Sequence, residues 1–129
     1  MAVKYKVIGS KNPQSKDENA ILFYPKLCDS VQLNTSRVSK IMAMRSSVSK
    51  SDIYNVLIGL AELIPELLGE GHTIKLDGFG IFRLHAKTKT MNDPAKVNVK
   101  NITGYRLSFL PDKEMKRELQ LIEAEKARG

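Results

Sequence analysis

The chain has 129 residues, a length that allows one domain with a short appendage. Its apolar fraction of 42% can support a core, which excludes a disordered chain by composition. The formal net charge of +7 favours a polyanionic partner, either nucleic acid or an anionic membrane surface.

Membrane-spanning and disulfide-stabilised secreted proteins are both disfavoured by the sequence. No apolar run approaches the roughly 18 residues that a bilayer-spanning helix needs. The first residues, MAVKYKVIGSK, are too polar for a signal peptide. The single Cys28 allows no internal disulfide and fits a reducing compartment. We therefore expect a cytoplasmic protein.

The first 32 residues are predicted to form short strands and turns. VKYKVI, residues 3–8, alternates along most of its length, which is typical of a strand. GSKNPQSKDEN is rich in Gly, Asn, Pro and Ser and predicts a loop. AILFYP then predicts a short apolar strand that ends at Pro25. We therefore expect a β-rich extension over residues 1–32.

Two helices are predicted after this extension. The first runs from Thr35 to about Arg45, with Asn34 or Thr35 as its N-cap. The second begins at the sequence SKSD, in which Ser49 can cap the helix and Asp52 occupies the capping-box position.

The second predicted helix carries an unusually wide apolar stripe. Its members recur at spacings of three and four and are Ile53, Val56, Leu57, Leu60, Ile64, Leu67 and Leu68. One small domain cannot easily cover a stripe of this width. Pro65 should bend the helix, and Gly69 and Gly71 should end it.

A sheet and a last helix are predicted for the remainder of the chain. TIKLDGFGIFRLHAKTK, residues 73–89, predicts a hairpin around Asp77–Gly80, and GYRLSF, residues 104–109, predicts a returning strand. Pro111 and Asp112 should open a final helix. Its apolar stripe would consist of Met115, Leu119 and Ile122.

Basic residues alternate along the predicted hairpin. Arg83, His85, Lys87 and Lys89 occur at every second position, so a continuing strand would place them on one face. Between Arg83 and Arg106 there is one acidic residue, Asp93, against six cations: Arg83, Lys87, Lys89, Lys96, Lys100 and Arg106. A strand that was merely soluble would mix its charges, so this pattern favours an acidic ligand.

Three segments resemble the HU and integration host factor proteins of bacterial nucleoids. LNTSRVSKIMAMRSSVSKSD is similar to the family's first helix and the opening of its second, and DGFGIF matches the Gly-Phe-Gly-x-Phe turn. SFLPDKEMKREL resembles the Phe-x-Pro-Gly-Lys-x-Leu-Lys ending. The resemblance covers about residues 33–119, and the extension resembles the longer HU-like proteins of the Bacteroides group.

The resemblance implies an α+β fold that forms an intertwined homodimer. Each subunit would contribute a helical base, a three-stranded antiparallel sheet and an extended β-ribbon arm over about residues 84–104, within an HU-like domain of residues 33–129. A partner subunit would cover the wide stripe of the second helix. The core and dimer residues would be Ile53, Leu57, Leu60, Ile64, Phe79, Phe82 and Phe109.

The resemblance also implies a non-enzymatic architectural protein that binds and bends double-stranded DNA in the minor groove, with little sequence specificity. Arg83, Lys87 and Lys89 would line the outgoing strand of the arm, and Lys96, Lys100 and Arg106 the returning strand. Body contacts to phosphate would come from Lys113, Lys116 and Arg117, and Pro94 would wedge between base pairs. No cofactor, metal or small-molecule substrate is implied, and RNA stays open as a further partner.

The arm tip departs from the family pattern and keeps other interpretations open. The family has Arg-Asn-Pro where this chain has MNDPAK, so acidic Asp93 precedes Pro94, and the excursion is about two residues shorter. Pro94 could be an ordinary turn proline. The dimer could then be mainly a structural or protein-interaction module with weak DNA binding. Cys28, His72 and His85 show no catalytic spacing, and no predicted helix suits a membrane surface.

Overall fold

The computed structural model describes residues 2–11 and 20–128 and has an α+β fold. The strands are β1 (Ala2–Lys11), β2 (Ile21–Leu27), β3 (Ile74–Leu76), β4 (Gly80–Thr88), β5 (Ile102–Pro111) and β6 (Glu123–Lys126). The helices are α1 (Thr35–Met44), α2 (Lys50–Gly69) and α3 (Lys113–Leu119), and two single 3₁₀ turns cover Pro94–Lys96 and Val99–Asn101.

The chain divides into two compact units, which differ from the sequence-based division at the C-terminal end. The central unit contains Leu33–Lys116, and the terminal unit contains the residues up to Gln32 together with those from Arg117 onward. The predicted HU-like domain of residues 33–129 therefore includes a final segment that packs with the N-terminal strands. The predicted loop covered residues 9–19: residues 9–11 belong to β1 instead, and residues 12–19 lie outside the described residues.

The terminal unit is a three-stranded sheet in the order β2-β1-β6. β1 and β2 are antiparallel, from Tyr5 opposite Leu27 to Lys11 opposite Ile21. β1 and β6 are parallel, and Ala2 lies opposite Glu123. β2 continues through Pro25 to Leu27, so the predicted strand end was wrong; an edge position in the sheet tolerates a proline.

The last helix is shorter than its apolar pattern predicts. It ends at Leu119, where the amides of Gln120 to Ile122 bond three residues back, and Ile122 precedes β6 instead of extending the stripe. The sequence from Glu118 to Lys126 suits a helix by propensity. Pairing of β6 with β1 overrides that local preference.

Both helices of the central unit begin at the predicted caps. The Asn34 side chain accepts a hydrogen bond from the Arg37 amide at 2.9 Å, and the Ser49 hydroxyl accepts one from the Asp52 amide at 3.2 Å. α2 continues through Pro65 to Gly69. No described helix meets the length and hydropathy needed to cross a membrane.

A Schellman motif ends α2 as the two glycines predict. Gly71 adopts φ 94°, its amide donates to the Leu68 carbonyl, and the His72 amide donates to the Leu67 carbonyl. The chain then enters the antiparallel sheet β3-β4-β5, which confirms the predicted hairpin and returning strand.

The single chain buries little of its apolar stripe. Among the described apolar residues, Ile53 and Leu68 are buried, at 8% and 6% exposure. The other predicted α2 core residues, Leu57, Leu60 and Ile64, are half-buried. The rings of Phe82 and Phe109 lie 4.9 Å apart, whereas the side chain of Phe79 is 51% exposed.

Gly80 joins β3 to β4 at a point where no side chain fits. It is buried and adopts φ 152°, and a Cβ atom there would collide with the Leu110 carbonyl oxygen on β5. Gly104 on β5 provides a contrast, because a Cβ there would meet only the Lys87 Cδ at 3.8 Å.

Gly80→Ala should therefore lower the free energy of unfolding by about 2–4 kcal/mol through backbone strain and overpacking. Gly104→Ala is the matched control in the same sheet and should leave stability unchanged or raise it. Urea unfolding of both variants checks this, and equal midpoints would contradict the steric role of Gly80.

Candidate nucleic-acid interface

From Arg83 toward the arm tip, the register of the sheet separates charged side chains from apolar ones. On one side of the sheet, three residues of β4 face residues of β5: Arg83 lies opposite Ser108, His85 opposite Arg106, and Lys87 opposite Gly104. On the same side, Lys75 of β3 pairs with Ile81. We call the side formed by Lys75, Arg83, His85, Lys87 and Arg106 the basic face. The other side, the apolar face, consists of Phe82, Leu84, Ala86, Tyr105, Leu107 and Phe109.

The apolar face turns toward helix α2. A groove of about 560 Å³ lies between α2, at Ile64, Pro65 and Leu68, and the side chains of Leu84 and Leu107. Because opposite faces of a sheet point in opposite directions, the basic face is directed away from this part of the helical base. It is the side of the central unit on which a large ligand could lie against the ribbon.

The basic face is exposed, and no carboxylate of the described residues forms an ion pair with its cations. The ion pairs found within residues 2–11 and 20–128 join Lys4 to Glu125 and His72 to Glu70, so neither involves a cation of this face. His85 lies opposite Arg106, and its Nε2 atom is 2.8 Å from the Ser108 hydroxyl. The charges are therefore free to pair with an external anion.

The basic face continues at its base into a lysine cluster. Lys75, Lys113 and Lys116 surround a depression of about 260 Å³ whose floor includes Ile81 and Leu110. Sequence reasoning identified Lys113 and Lys116 but missed Lys75. The alternation of Ile74, Lys75 and Leu76 could have indicated that Lys75 lies on the exposed side of β3. In the structure, the lysine is exposed and the two apolar neighbours are half-buried.

Asp112 lies within this lysine cluster and holds two backbone segments together. Its carboxylate accepts hydrogen bonds from the Gly78 amide at 2.9 Å and the Lys113 amide at 2.7 Å, and its own amide donates to the Phe79 carbonyl. The bond from Gly78 and then that from Lys113 hold the pKa of the Asp112 carboxyl below its usual value, with Lys75 and Lys113 adding smaller electrostatic effects. The carboxylate thus fixes the glycine turn to the start of α3.

Three predicted arm cations lie at the tip and not on paired strands. The β4–β5 register shifts between Lys87 and Thr88, so Lys89 follows the end of β4 and does not continue the alternation. Lys96 and Lys100 lie in the two 3₁₀ turns, before β5 begins at Ile102. Placing Lys96 and Lys100 on the returning strand was wrong, because local side-chain caps compete with strand pairing here.

Side chains of the tip hydrogen-bond to its own backbone. Asp93 Oδ1 accepts from the Ala95 amide at 3.0 Å, and Asn98 Oδ1 accepts from the Lys100 amide at 2.9 Å. The Asn101 side chain accepts from the Asn98 amide at 2.7 Å. Asp93 is therefore the cap of the turn that presents Pro94, a role that its charge alone does not predict.

The structure assigns all but one of the predicted contact residues to the central unit. Arg83, Lys87 and Arg106 share the basic face, and Lys113 and Lys116 lie at its base. Lys89, Pro94, Lys96 and Lys100 form the tip, and Arg117 belongs to the terminal unit. Within residues 2–11 and 20–128, no cluster of His, Cys, Asp or Glu is arranged to hold a metal ion.

Comparison with known proteins gives both sequence relatives and structural neighbours. The family model described as "HU domain fused to wHTH, Ig, or Glycine-rich motif" matches residues 1–126. Integration host factor subunit alpha of Caulobacter vibrioides (strain NA1000 / CB15N) is 28% identical over 78 residues, which cover 56% of this chain and 78% of the relative. The same subunit from Caulobacter sp. (strain K31) is 27% identical over 78 residues, with the same shares covered.

Two solved structures share the fold. A provisionally named bacterial DNA-binding protein from Bacteroides vulgatus ATCC 8482 has a TM-score of 0.66 and 11% identity, covering 98% of this chain. This chain spans 50% of the length of that protein. HU from an Anabaena HU–DNA cocrystal has a TM-score of 0.54 and 21% identity, covering 69% of this chain and 99% of that one.

The fold is therefore that of the HU-like proteins, with strands added at the N-terminus. The chain belongs to the family of HU domains fused to a wHTH, Ig or glycine-rich motif. The resemblance to HU and integration host factor is confirmed, and one structural neighbour comes from Bacteroides.

The Asp112 contacts predict a pH dependence of stability. The pKa of Asp112 is lowered in the folded chain from 3.8, so its stabilising contribution is present above that value and is lost as the pH falls through the folded pKa. Asp112→Asn should lower the free energy of unfolding near neutral pH. It should also reduce the decrease in that free energy between about pH 5 and pH 2. Urea midpoints across this range test it, and parallel pH profiles for wild type and variant would contradict it.

Proposed function

We propose that this chain is a non-enzymatic architectural protein that binds double-stranded DNA through the basic face and the arm tip. The observation that carries the proposal is the segregation of unpaired cations on one side of the β4–β5 ribbon, with apolar residues on the side facing α2. Unpaired cations on an exposed ribbon bind phosphates and release counterions, which gives affinity without base readout. The protein would act in the nucleoid of the cytoplasm, with little sequence specificity.

Membership of the HU domain family supports this proposal, as does the sequence similarity to integration host factor subunit alpha. The structural neighbour from Anabaena comes from an HU–DNA cocrystal. The lysine cluster at the base of the basic face would extend the contact along the phosphate backbone. An A-form RNA duplex has a different groove geometry, so we take duplex DNA as the partner and RNA as the comparison in binding experiments.

We further propose a homodimer. Leu57, Leu60 and Ile64 are only half-buried, and Val56 is 68% exposed on the same helix. Leu84 and Leu107 line the adjacent groove without filling it. A second subunit would remove this apolar surface from water, which is the dominant favourable term in association.

Bending by the arm tip forms the last part of the proposal. Pro94 is exposed at the first position of a 3₁₀ turn, and Asp93 caps that turn. An exposed proline held in this way can enter a minor groove and unstack a base step. The cap orients Pro94, whereas the charge of Asp93 opposes its approach to phosphate.

A structural or protein-interaction role is the second candidate function. It is favoured by acidic Asp93 at the tip and by exposed apolar side chains in the terminal unit, among them Phe23 and Leu27. In that case the basic face would contribute weak binding only. The salt dependence of DNA affinity separates the two candidates.

Neutralising Arg83, Lys87 and Arg106 to Gln should weaken binding to all duplex sequences alike. The slope of log affinity against log salt should fall by roughly 0.9 for each phosphate that is no longer neutralised by a side chain. A control variant carries Gln at Lys6, Lys11 and Lys26 of the terminal unit, with the same change of net charge. Fluorescence anisotropy over a salt series measures the slope, and equal slopes for the two variants would remove the basic face as the contact surface.

Replacing Leu57 or Leu60 with Glu should abolish the folded dimer. An unpaired carboxylate buried in the interface costs several kcal/mol. Exposed Met44→Glu, at the end of α1, is the control and should stay dimeric. Sedimentation and circular dichroism measure assembly and folding, and a folded monomer from Leu57→Glu would show that the dimer is not required for folding.

Pro94→Ala should reduce bending and the preference for nicked DNA, while affinity for intact duplex changes less because the cations remain. Asp93→Asn keeps an oxygen that can cap Ala95 but removes the charge, so it should tighten binding, most at low salt. End-to-end fluorescence transfer on a short duplex reports bending. The same transfer for wild type and Pro94→Ala would exclude Pro94 from the bending mechanism.

A further inference from the structure

The terminal unit has an apolar sheet face that takes no part in the proposed DNA contact. The strand registers place Tyr5, Val7, Ile21, Phe23, Pro25 and Leu27 on the same side of the sheet, which we call the terminal apolar face. The opposite side carries Lys6, Lys26 and the ion pair between Lys4 and Glu125, whose Nζ and Oε2 atoms are 2.8 Å apart, together with the apolar side chains of Ile8, Leu22 and Tyr24. The terminal apolar face is the more apolar of the two sides, with Lys11 and Lys126 at its margins, whereas the opposite side mixes charged and apolar side chains.

The terminal apolar face is exposed within the chain. Phe23 is 70% exposed, and Val7, Ile21 and Leu27 are each more than half exposed. A three-stranded sheet gains stability when a second layer covers its apolar side. The exposure thus indicates a surface at which another layer binds.

Association through the edges of this sheet is disfavoured. β6 is an edge strand of four residues, and three of these are charged. β2, the other edge strand, contains Pro25, which has no amide hydrogen to donate. Short, charged and proline-containing edges resist the addition of strands, so the expected contact is face to face.

The terminal apolar face carries an exposed aromatic ring beside a recess. Phe23 stands beside a groove of about 490 Å³ that is also lined by Tyr5, Pro25 and Leu27. Gly9 leaves space for this arrangement, since a Cβ there would lie 2.9 Å from Ile21 Cγ2 and 3.1 Å from Phe23 Cε1. A projecting ring and a recess on one surface can each engage the other in a twofold contact.

The available area is sufficient for a specific contact. Aromatic side chains bury roughly 150–250 Å² each, so the exposed Phe23 and its neighbours provide on the order of 500 Å² per copy. Two such faces would bury about 1,000 Å² in total, which reaches the lower limit for a biological interface.

We propose that the terminal apolar face packs against the same face of a second copy of this chain and forms a two-layer β-sandwich. Aligned sheets pack about 10 Å apart with their inner side chains interdigitated, as this face requires. The choice of a second copy rests in part on the proposed function, because a dimer supplies an identical face to each chain at high effective concentration.

Crosslinking between single cysteines tests the proposal in the full chain. Phe23→Cys and Leu22→Cys are compared, because adjacent positions of β2 point to opposite faces and both side chains are more than half exposed. Each is made with Cys28→Ser, so that the introduced thiol is the single cysteine of the chain. A short bismaleimide should join two Phe23→Cys chains at least about tenfold faster than two Leu22→Cys chains at low micromolar concentration. Leu27→Cys, on the same face, should behave like Phe23→Cys and guards against a local defect at position 23.

Two results would overturn the proposal. Equal and slow crosslinking at positions 22, 23 and 27 would show that the face does not meet a second copy. Protection of Phe23→Cys from a monofunctional maleimide without crosslinking would show that the chain covers the face itself. DNA binding is measured on the same samples. Normal DNA affinity without crosslinking rejects this inference alone. Crosslinking without DNA affinity rejects the proposed function alone.

Discussion

The pairing register of β4 with β5 is the constraint on which the rest of the central unit depends. Side chains alternate between the two sides of a strand, so a slip of one residue would exchange Arg83, His85 and Arg106 with Leu84 and Leu107. Cations would then face α2, and leucines would face water. Gly80 helps to fix this register, because β4 can approach the Leu110 carbonyl only where no side chain intervenes. The position of the cations and the packing of the leucines toward α2 therefore both depend on the hydrogen-bonded pairing of β4 with β5.

Much of this arrangement follows from local sequence signals. Asn34, Ser49 and Gly71 each act through atoms within a few residues of themselves, and the structure uses all three as predicted. One failure concerns an interaction between distant residues, and the other concerns local caps at the arm tip. α3 stops at Leu119 because the following residues pair with β1, and no pattern within Glu118–Lys126 shows that such a partner exists. At the tip, caps by Asp93 and Asn98 replaced the expected strand pairing of Lys96 and Lys100.

Two acidic residues within the basic surface have structural roles that charge counting misses. Asp93 and Asp112 both accept hydrogen bonds from backbone amides, the first at the tip and the second between the glycine turn and α3. Each therefore stabilises the local backbone and also reduces the positive electrostatic potential of the surface around it. The sequence marks Asp93 as a departure from the family's tip and Asp112 as a residue that opens α3, whereas their contacts explain why an acceptor is useful at both positions.

The parallel pairing of β1 with β6 has a consequence for biosynthesis. The Lys4–Glu125 contact joins residues 121 positions apart, so β1 must wait for nearly the whole described chain to be translated before its second neighbour exists. Contacts of such long sequence separation close late and slowly, whereas α1, α2 and the β3–β4 hairpin need only near neighbours. On the ribosome, the central unit can therefore begin to fold first, and β1 and β2 remain an incomplete sheet until Glu123–Lys126 emerge.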